Sequence, residues 1–499
     1  MQKVIILTIC LFIKTFPQQT PLEKNNYQEL TTYNELVLYI TQLEKSSKML
    51  KLVMIGQSVE KRNLYGMLFS TTDFEKDTSK IRVLIFAQQH GNEQSGKEGA
   101  LILARELLKP QNKYLFDRID LALIPQVNPD GSEKNVRRNS NGVDLNRNHL
   151  ILTQPETRAV HNLFDNYLFE ATMDIHEYYP YTESWMNFGY IKNFDEQIGT
   201  PTNPNVSEEI RNISNNEFLP FIESYLNKKG FSFHNYILGG PPGDELFRHS
   251  TYDINDGRQS FGILNSFSVI MEGKNGRDSI DNIQRRAEGQ AAAILGFLEF
   301  IYKNKDKIKN IVQSERKKFA PFNPGGNVAI QLDHVNVGKK LNLPLLSLST
   351  KTDTLLTVSD YHPTVKSLYD VKRPFGYLIP KNLKEVVDWA KHNNLVMHQV
   401  TRIPEVKFEK YFISSIDSTN FEGDKVVNPI VEVSEIKDEI KLEDYFFIPT
   451  NQLRSNLIVI ALEPKSTLGL STYKEFEFLL KKHQAFPILR IISNNNNQN

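Results

Sequence analysis

RVLIFAQQHGNE, residues 82–93, is the stretch that decides the fold. Its first half, residues 82–87, is too short for a helix and contains β-branched residues, which predicts a buried strand. Residues 95–108 follow with apolar side chains three and four positions apart, a spacing typical of a helix. His90 and Glu93 therefore stand where a central strand passes into a helix, and open α/β sheets bind their ligands at such places. One imidazole and one carboxylate three residues apart can hold a single ion, whose third ligand must come from elsewhere in the chain.

The composition limits the kinds of protein that this chain can be. Its 499 residues are too many for one compact core, so two or more domains are expected. The 59 basic and 59 acidic residues balance, which argues against a general nucleic-acid binder, and we expect no nucleic acid among the partners. The only cysteine is Cys10, so any metal must be held by histidine and carboxylate side chains.

The N-terminus has the pattern of an export signal, which we place at residues 1–19. Lys3 supplies a short positive region, and residues 4–13 form an apolar run that is too short to span a bilayer. A buried first strand is the alternative interpretation. We expect an exported protein, secreted or periplasmic, with no membrane span once the signal is removed.

Alternating strands and helices are predicted over residues 20–305, interpreted as the catalytic domain. Further strands are expected at residues 51–56, 64–69, 118–124, 169–175 and 266–271, and long helices at residues 155–168 and 280–302. His176 follows the fourth of these strands, and Glu272 follows the fifth. Residues 178–250 are aromatic and rich in loops, and we expect them to form the walls of a cleft.

The C-terminal third differs in pattern. Residues 306–326 are charged and then rich in Pro and Gly, which indicates a linker. Residues 327–493 contain strand-like runs, among them residues 457–462, and are interpreted as a β-rich domain with one helix at residues 382–392. Residues 494–499 form a polar tail that we expect to be disordered.

Residues 135–148 carry three arginines and five asparagines, so they are too polar for a core element. Planar donors of this kind suit the recognition of carboxylates and oxyanions. A solvated loop is the alternative for this stretch taken alone.

Together these motifs resemble the carboxypeptidase A-like zinc metallocarboxypeptidases, and the C-terminal region looks like the accessory region of some large bacterial members. The similarity covers about 250 residues, from 50 to 300, and holds in order and spacing. It rests on His90-Gly-Asn-Glu93, Arg137-x-Asn139, residues 142–148, residues 155–159, Asp174-Ile-His176 and a strand-ending Glu272.

The resemblance implies one Zn²⁺ ion held by His90, Glu93 and His176. Two histidines and one carboxylate suit zinc with a fourth position left for water, which marks a catalytic rather than a structural site. The resemblance also implies the fold class, an α/β domain whose mixed, mostly parallel sheet is flanked by helices. Asp174 is either a partner that orients His176 or a simple strand-end residue.

Other roles follow from the same resemblance. Glu272 maps onto the general base, which takes a proton from water and returns it to the leaving amine. Arg137 maps onto the arginine that stabilises the oxyanion, with the adjacent Arg138 as the alternative register. Asn146 and Arg147 map onto the pair that binds the substrate's terminal carboxylate.

The family also uses a mobile tyrosine that caps the bound carboxylate. Tyr252 lies at a comparable distance before Glu272 and is the candidate. Residues 256–262 depart from the family pattern, and Arg258 could share the binding of the anion. The other histidines are interpreted as surface or packed residues, with His249 nearest to the predicted cleft.

These features predict a zinc-dependent metallocarboxypeptidase that hydrolyses the C-terminal peptide bond of peptides or proteins. Two alternatives stay within the hydrolases, namely a zinc amidase or deacylase of acylated amino acids and a carboxypeptidase of cell-wall peptides. An alternative of another class is a non-catalytic binding module, against which the complete set of ligands and Glu272 argues.

Overall fold

The computed structural model describes residues 19–321, 325–403, 406–421 and 424–493. The predicted tail at residues 494–499 lies outside these residues, as does all of the predicted signal peptide except Gln19. Among the residues described, no helix combines the length and the apolar character that a membrane crossing requires.

The N-terminal region alternates strands and helices, as predicted. Its strands are β1 (Leu50–Gln57), β2 (Asn63–Phe69), β3 (Ile81–Ala87), β4 (Ile119–Ile124), β5 (Ala171–Tyr178), β6 (Tyr190–Lys192), β7 (Glu196–Gly199), β8 (Phe233–Asn235), β9 (Ile237–Leu238), β10 (Phe247–His249) and β11 (Phe267–Lys274). Its α-helices are α1 (Pro21–Lys24), α2 (Tyr33–Ser46), α3 (Gln94–Leu107), α4 (Pro129–Glu133), α5 (Pro155–Tyr167), α6 (Glu183–Asn187), α7 (Glu208–Ile213), α8 (Leu219–Lys228), α9 (Gly257–Gly262) and α10 (Ile283–Lys317).

One large sheet organises this region. It has eight strands in the order β1-β2-β4-β3-β5-β11-β7-β8. The four middle strands, β4, β3, β5 and β11, are parallel, whereas β2 joins β4 and β7 joins β11 in the antiparallel sense. The predicted α/β fold with a mixed sheet flanked by helices is therefore confirmed.

Two apolar layers cover the sheet, because successive side chains along a strand point to opposite faces. In β3, Val83 and Ile85 belong to the layer that includes α3 and α10, while Leu84 and Phe86 belong to the layer that includes α5 and α9. Every residue of β3 except Arg82 is buried. The strand is thus fixed on both faces, and the turn after it lies at the ligand-binding edge of the sheet.

Helix α10 continues further than the sequence predicted. It is kinked at Asn304 (φ −108°, ψ 15°), close to the predicted end, and continues to Lys317, so that it includes the charged residues 306–317, the first part of the predicted linker. Ile308 and Val312, four positions apart, are buried in the same core as the sheet. The charged run is therefore the outer face of an amphipathic helix.

The C-terminal region is rich in strands, as predicted. Its strands are β12 (Asn327–Val335), β13 (Leu341–Ser347), β14 (Asp353–Val358), β15 (Tyr361–His362), β16 (Thr364–Lys372), β17 (Gly376–Pro380), β18 (Val406–Phe421), β19 (Asp424–Ile436), β20 (Tyr445–Pro449), β21 (Gln484–Ala485) and β22 (Leu489–Ser493), and its α-helices are α11 (Lys384–His392) and α12 (Ser455–Leu462). The prediction of a strand at residues 457–462 is wrong, because these residues lie in α12, which is buried throughout. An apolar run that is buried on every side has no periodicity to separate helix from strand.

The C-terminal region packs directly on the N-terminal region. Strand β13 pairs with β6, and β15 pairs with β10. Trp389 of α11 donates its Nε1–H to the carbonyl of Leu150 at 3.0 Å, and Arg454 pairs with Asp165 at 2.6 Å. One apolar cluster contains residues of both regions, so the two share a core, while the predicted domain boundaries stay predictions.

Candidate active site

The turn between β3 and α3 places two polar side chains at the carboxyl edge of the sheet. His90 and Glu93 lie in this turn, which begins at Gln88 with a φ of 59°. A Cβ on Gly91 would lie 2.1 Å from a carbon of the facing backbone, so only glycine fits there. The turn is thus shaped by a close approach of two backbones, and it directs both side chains toward β5.

The structure brings the three predicted ligands together. Nδ1 of His90 lies 2.7 Å from Oε1 of Glu93, and Nδ1 of His176 lies 3.0 Å from Oε2 of the same carboxylate. The two Nδ1 atoms are 3.1 Å apart, and all three side chains are buried. Two imidazoles and a carboxylate that lie close enough to share one ion are the donor set of a catalytic zinc site.

The charges in this cluster are arranged to hold a cation. Burial by itself would raise the pKa of the Glu93 carboxyl, but the facing His90 and His176 keep it below its ordinary range. Burial also opposes a charged His176, yet Asp174 and Glu93 raise its pKa well above the ordinary value. The carboxylates thus favour a proton on the imidazole, and a metal ion would compete with that proton.

Each ligand histidine is oriented by a carboxylate on its other ring nitrogen. Nε2 of His90 lies 3.0 Å from Oδ1 of Asp144, and Nε2 of His176 lies 2.9 Å from Oδ1 of Asp174. Asp174 is buried, and it accepts from the side-chain amide of Gln89 at 2.9 Å. Of the two interpretations of Asp174, this geometry favours a partner that orients His176 over a simple strand-end residue.

The polar chain continues inward from Gln89. Its Oε1 lies 2.6 Å from Nε2 of His149, whose Nδ1 lies 3.0 Å from Nε2 of His161. Burial lowers the pKa of His149 to about 4 and the pKa of His161 well below its ordinary value, so both rings are neutral at neutral pH. The sequence predicted packed or surface positions for these two histidines, and no spacing in it indicated their link to Asp174.

Replacing Asp174 with asparagine should weaken zinc binding roughly 10- to 100-fold, because a partner of this kind sets the orientation and basicity of its histidine. Competition with a chromogenic chelator measures the zinc dissociation constant. Asp360→Asn is the matched control, since Asp360 also lies 2.9 Å from a histidine, His362, outside the site. Equal zinc affinity for Asp174→Asn and wild type would show that Asp174 does not orient the ligand.

Strand β11 carries Glu272 to the same site. Glu272 is the register partner of His176 on β5 and is buried. Both strands continue for two residues beyond these positions. The sequence predicted that the two side chains follow the ends of their strands, but they lie inside the strands. Burial raises the pKa of the Glu272 carboxyl to about 7, against the opposing effect of His176. A bound metal cation would lower this pKa again.

The arginine-rich stretch is divided between cleft and solvent. Arg137 donates from Nε to Oδ2 of Asp144 at 2.9 Å, and its Nη1 lies 3.6 Å from Oε1 of Glu93. Arg138 is exposed and donates to the carbonyl of Gly142 at 2.9 Å. The alternative of Arg138 as the oxyanion residue is therefore not supported by its position.

Asn146 and Arg147 lie next to each other beside the metal-binding cluster. Oδ1 of Asn146 accepts from the backbone N–H of Gly257 at 2.8 Å and from Nε2 of Gln89 at 3.3 Å. Nη1 of Arg147 donates to the carbonyl of Asn146 at 2.8 Å. Both side chains are thus held in place by their neighbours.

A cavity of about 360 Å³ joins these groups. It is lined by six of the predicted site residues, His90, Glu93, Arg137, Asn146, Arg147 and Glu272. It is also lined by residues for which the sequence indicated no individual role, among them Trp185, Lys192, Tyr236 and Glu245. These four come from residues 178–250, the stretch that was expected to form the cleft walls.

The prediction for Tyr252 is not supported by its position. Its side chain is buried and its hydroxyl donates to the carbonyl of Leu332 at 2.8 Å, toward the C-terminal region. Tyr236 is the tyrosine that lines the cavity and interacts with Glu272. Separation along the sequence selected Tyr252, whereas the path of the loop between the two tyrosines places Tyr236 in the cavity wall.

The buried Arg258 is likewise not part of the cavity lining. It pairs with Asp256 at 2.9 Å and donates to Ser250 and Thr251. These contacts use its guanidinium to hold the loop before β11 in place. A role for Arg258 in binding the substrate anion is therefore not supported.

Comparisons with known proteins find similar carboxypeptidases. The family model described as zinc carboxypeptidase matches residues 36–217, which include the metal-binding cluster and end before Glu272. Carboxypeptidase 2 of Trichophyton tonsurans is 23% identical over 439 residues, 85% of this chain and 79% of that protein. Carboxypeptidase D of Mus musculus is 30% identical over 251 residues, 44% of this chain and 17% of that protein. A solved metallo-carboxypeptidase from Burkholderia cenocepacia superposes with a TM-score of 0.44 at 19% identity, covering 56% of this chain and 71% of its own.

Proposed function

We propose that this chain, whose residues 36–217 match the zinc carboxypeptidase family model, hydrolyses the C-terminal peptide bond of peptides or proteins. In this proposal Glu272 is the general base and Arg137 stabilises the oxyanion. Asn146 and Arg147 bind the free carboxylate at the end of the substrate. The carboxypeptidases that align with most of this chain support a peptide hydrolase.

One observation carries the proposal, namely that Glu272 and Arg147 line the same cavity as His90 and Glu93. A guanidinium beside the metal-binding cluster can bind a carboxylate through two parallel hydrogen bonds. A substrate bound in this way presents its last peptide bond to the cluster. Cleavage is then limited to the end of a chain.

The metal ligands, Glu272 and Arg137 have distinct roles in the proposed reaction, which follow from their positions in the cleft. Zinc, when held by its three ligands, polarises the scissile carbonyl and lowers the pKa of water. Glu272 accepts a proton from the attacking water on a carboxylate oxygen and passes it to the nitrogen of the leaving amine. Arg137, fixed by Asp144, donates hydrogen bonds to the oxyanion as it forms.

A mixed peptide library tests this function. The zinc-loaded protein should release single C-terminal amino acids from peptides with free carboxyl ends, identified by mass spectrometry, and leave the same peptides intact when their ends are amidated. Cleavage of acylated amino acids or cell-wall peptides alone would replace the proposal with one of those activities. Bound zinc without cleavage of any of these substrates would favour a binding role.

Replacing Arg147 with methionine should lower kcat/KM for peptides with free carboxyl ends roughly 10- to 100-fold, because a hydrogen bond between charged groups is lost. Steady-state release of the last residue measures the effect. Arg138→Met is the matched control, since it removes an exposed arginine from the same stretch. Equal rates for Arg147→Met and wild type would mean that the terminal carboxylate binds elsewhere.

Export, to the periplasm or the medium, is also proposed, and it rests on the predicted signal peptide alone. That segment lies outside the described residues except for Gln19. N-terminal sequencing of the mature protein would test it, with a start near residue 20 as the expected result.

A further inference from the structure

The carboxylates that line the cavity are already paired. Apart from Glu93 in the metal-binding cluster and the proposed base Glu272, each has a cationic partner. The pairs are Glu177 with Arg286 at 2.7 Å, Asp256 with Arg258 at 2.9 Å and Glu245 with Arg248 at 3.2 Å. Among the described residues that line the cavity, no carboxylate other than Glu93 and Glu272 is therefore left unpaired for a basic side chain of a substrate.

Fewer of the cationic side chains that line the cavity form ion pairs than of the carboxylates. Arg137 is held by Asp144, as described above. Within the described part of the chain, neither Arg147 nor Lys192 forms an ion pair with a carboxylate. Arg147 is assigned to the terminal carboxylate in the proposed function, so Lys192 remains as a second positive charge available to an anion.

Lys192 is held in place by its surroundings. It is the last residue of β6, where it is the register partner of Leu345 on β13. Its Nζ lies 5.8 Å from the ring centroids of both Trp185 and Phe247, within the range of a cation–π interaction. Trp185 in turn donates Nε1–H to the carbonyl of Gly239 at 3.1 Å. The ammonium is thus positioned in the cavity wall before any ligand arrives.

We propose that the cavity selects substrates whose last residue is acidic, with the Lys192 ammonium binding the side-chain carboxylate and Arg147 binding the terminal carboxylate. This inference rests on the proposed carboxypeptidase function. Two cations in one cavity that form no direct ion pair with a described carboxylate match the two carboxylates of a C-terminal glutamate or aspartate. Lys192 is therefore a residue that determines specificity.

The electrostatics of Lys192 agree with this role. Burial lowers the pKa of its ammonium to about 8, and the neighbouring Glu245 only partly opposes the effect. The side chain is therefore mostly charged at neutral pH. Because a half-buried charge without a direct ion pair is costly, a substrate carboxylate that pairs with the ammonium gains more than an apolar or basic side chain does.

Peptides that differ only in their last residue test the inference on the unmodified enzyme. Glutamate and glutamine have the same shape, so their kcat/KM ratio isolates the charge. We expect the glutamate peptide to be cleaved roughly 10- to 100-fold more efficiently, the effect of one hydrogen bond between charged groups. Peptides ending in leucine and lysine complete the series.

Variants then assign the effect to one side chain. Lys192→Met should bring the ratio of glutamate to glutamine close to one, and Lys192→Glu should favour peptides that end in lysine. Lys229→Met is the matched control, because Lys229 also lies 5.8 Å from a ring centroid, that of Tyr225, but is exposed and outside the cavity. Its ratio should equal that of wild type.

The outcomes distinguish a failure of the proposed acidic preference from a failure of the proposed carboxypeptidase function. If wild type cleaves peptides ending in glutamine, leucine or lysine at least as well as those ending in glutamate, the acidic preference is wrong and the carboxypeptidase function stands. If Lys192→Met keeps the wild-type ratio, the preference comes from another residue and the role of Lys192 is wrong. If no peptide of the series is cleaved, both proposals fail together.

Discussion

The Glu272→Gln variant is expected to lose roughly 10²- to 10⁴-fold in kcat, the contribution typical of a general base. Glutamine keeps the shape of the side chain and can still bind a water molecule, but it cannot accept the proton. Glu272 is not among the three residues of the metal-binding cluster, so the variant should contain as much zinc as wild type. Steady-state peptide cleavage and elemental analysis measure the two quantities.

Glu196→Gln is the matched control for this experiment, because it makes the same substitution at another buried glutamate. Glu196 is buried on β7, the strand next to β11, and burial raises its pKa well above the ordinary value. Burial thus favours the neutral form of its carboxyl, and glutamine is nearly isosteric with that form. This variant should keep wild-type activity, whereas full turnover by Glu272→Gln would exclude Glu272 as the base.

The His176→Ala variant is expected to lose its zinc and at least about a thousandfold of its activity. A catalytic zinc ion contributes several kcal/mol to transition-state stabilisation, and each tenfold in rate corresponds to about 1.4 kcal/mol. Treatment with a chelator should have the same effect on wild type. Added zinc should restore wild type and leave the variant inactive.

Thermal unfolding gives a second measure of the same site. Zinc should raise the Tm of wild type, because a ligand that binds only the folded state stabilises it, and it should not raise the Tm of His176→Ala. His362→Ala is the matched control, since His362 also has an aspartate partner but lies outside the site. If His176→Ala retained one zinc ion per chain, the third ligand would be a different residue.

The sequence predicted those parts of the site that depend on short spacing and on the ends of parallel strands. His90 and Glu93 are separated by a single turn, so their local pattern is enough to bring them together. His176 and Glu272 come from neighbouring parallel strands, β5 and β11, and such strands bring the same end to the same edge of a sheet.

The parts that were not predicted depend on long-range packing. Tyr236 and Tyr252 lie on either side of β10, and only the folded path of that segment shows that Tyr236 faces Glu272. The position of Lys192 depends on the pairing of β6 with β13, about 150 residues later in the chain. The same limit applies to α12, because a fully buried apolar run is compatible with either a helix or a strand.

The pairing of β6 with β13 has a consequence for how this protein can diversify. Because β13 of the C-terminal region pairs with β6, which carries Lys192 in the wall of the cleft, a change of the C-terminal region is expected to alter that wall. A substitution in β13 would reach the substrate through the backbone of β6, without any contact of its own. Positions on these two strands are therefore expected to change together. A change in the substrate preference of the enzyme can then begin with a substitution far along the chain from its metal-binding cluster.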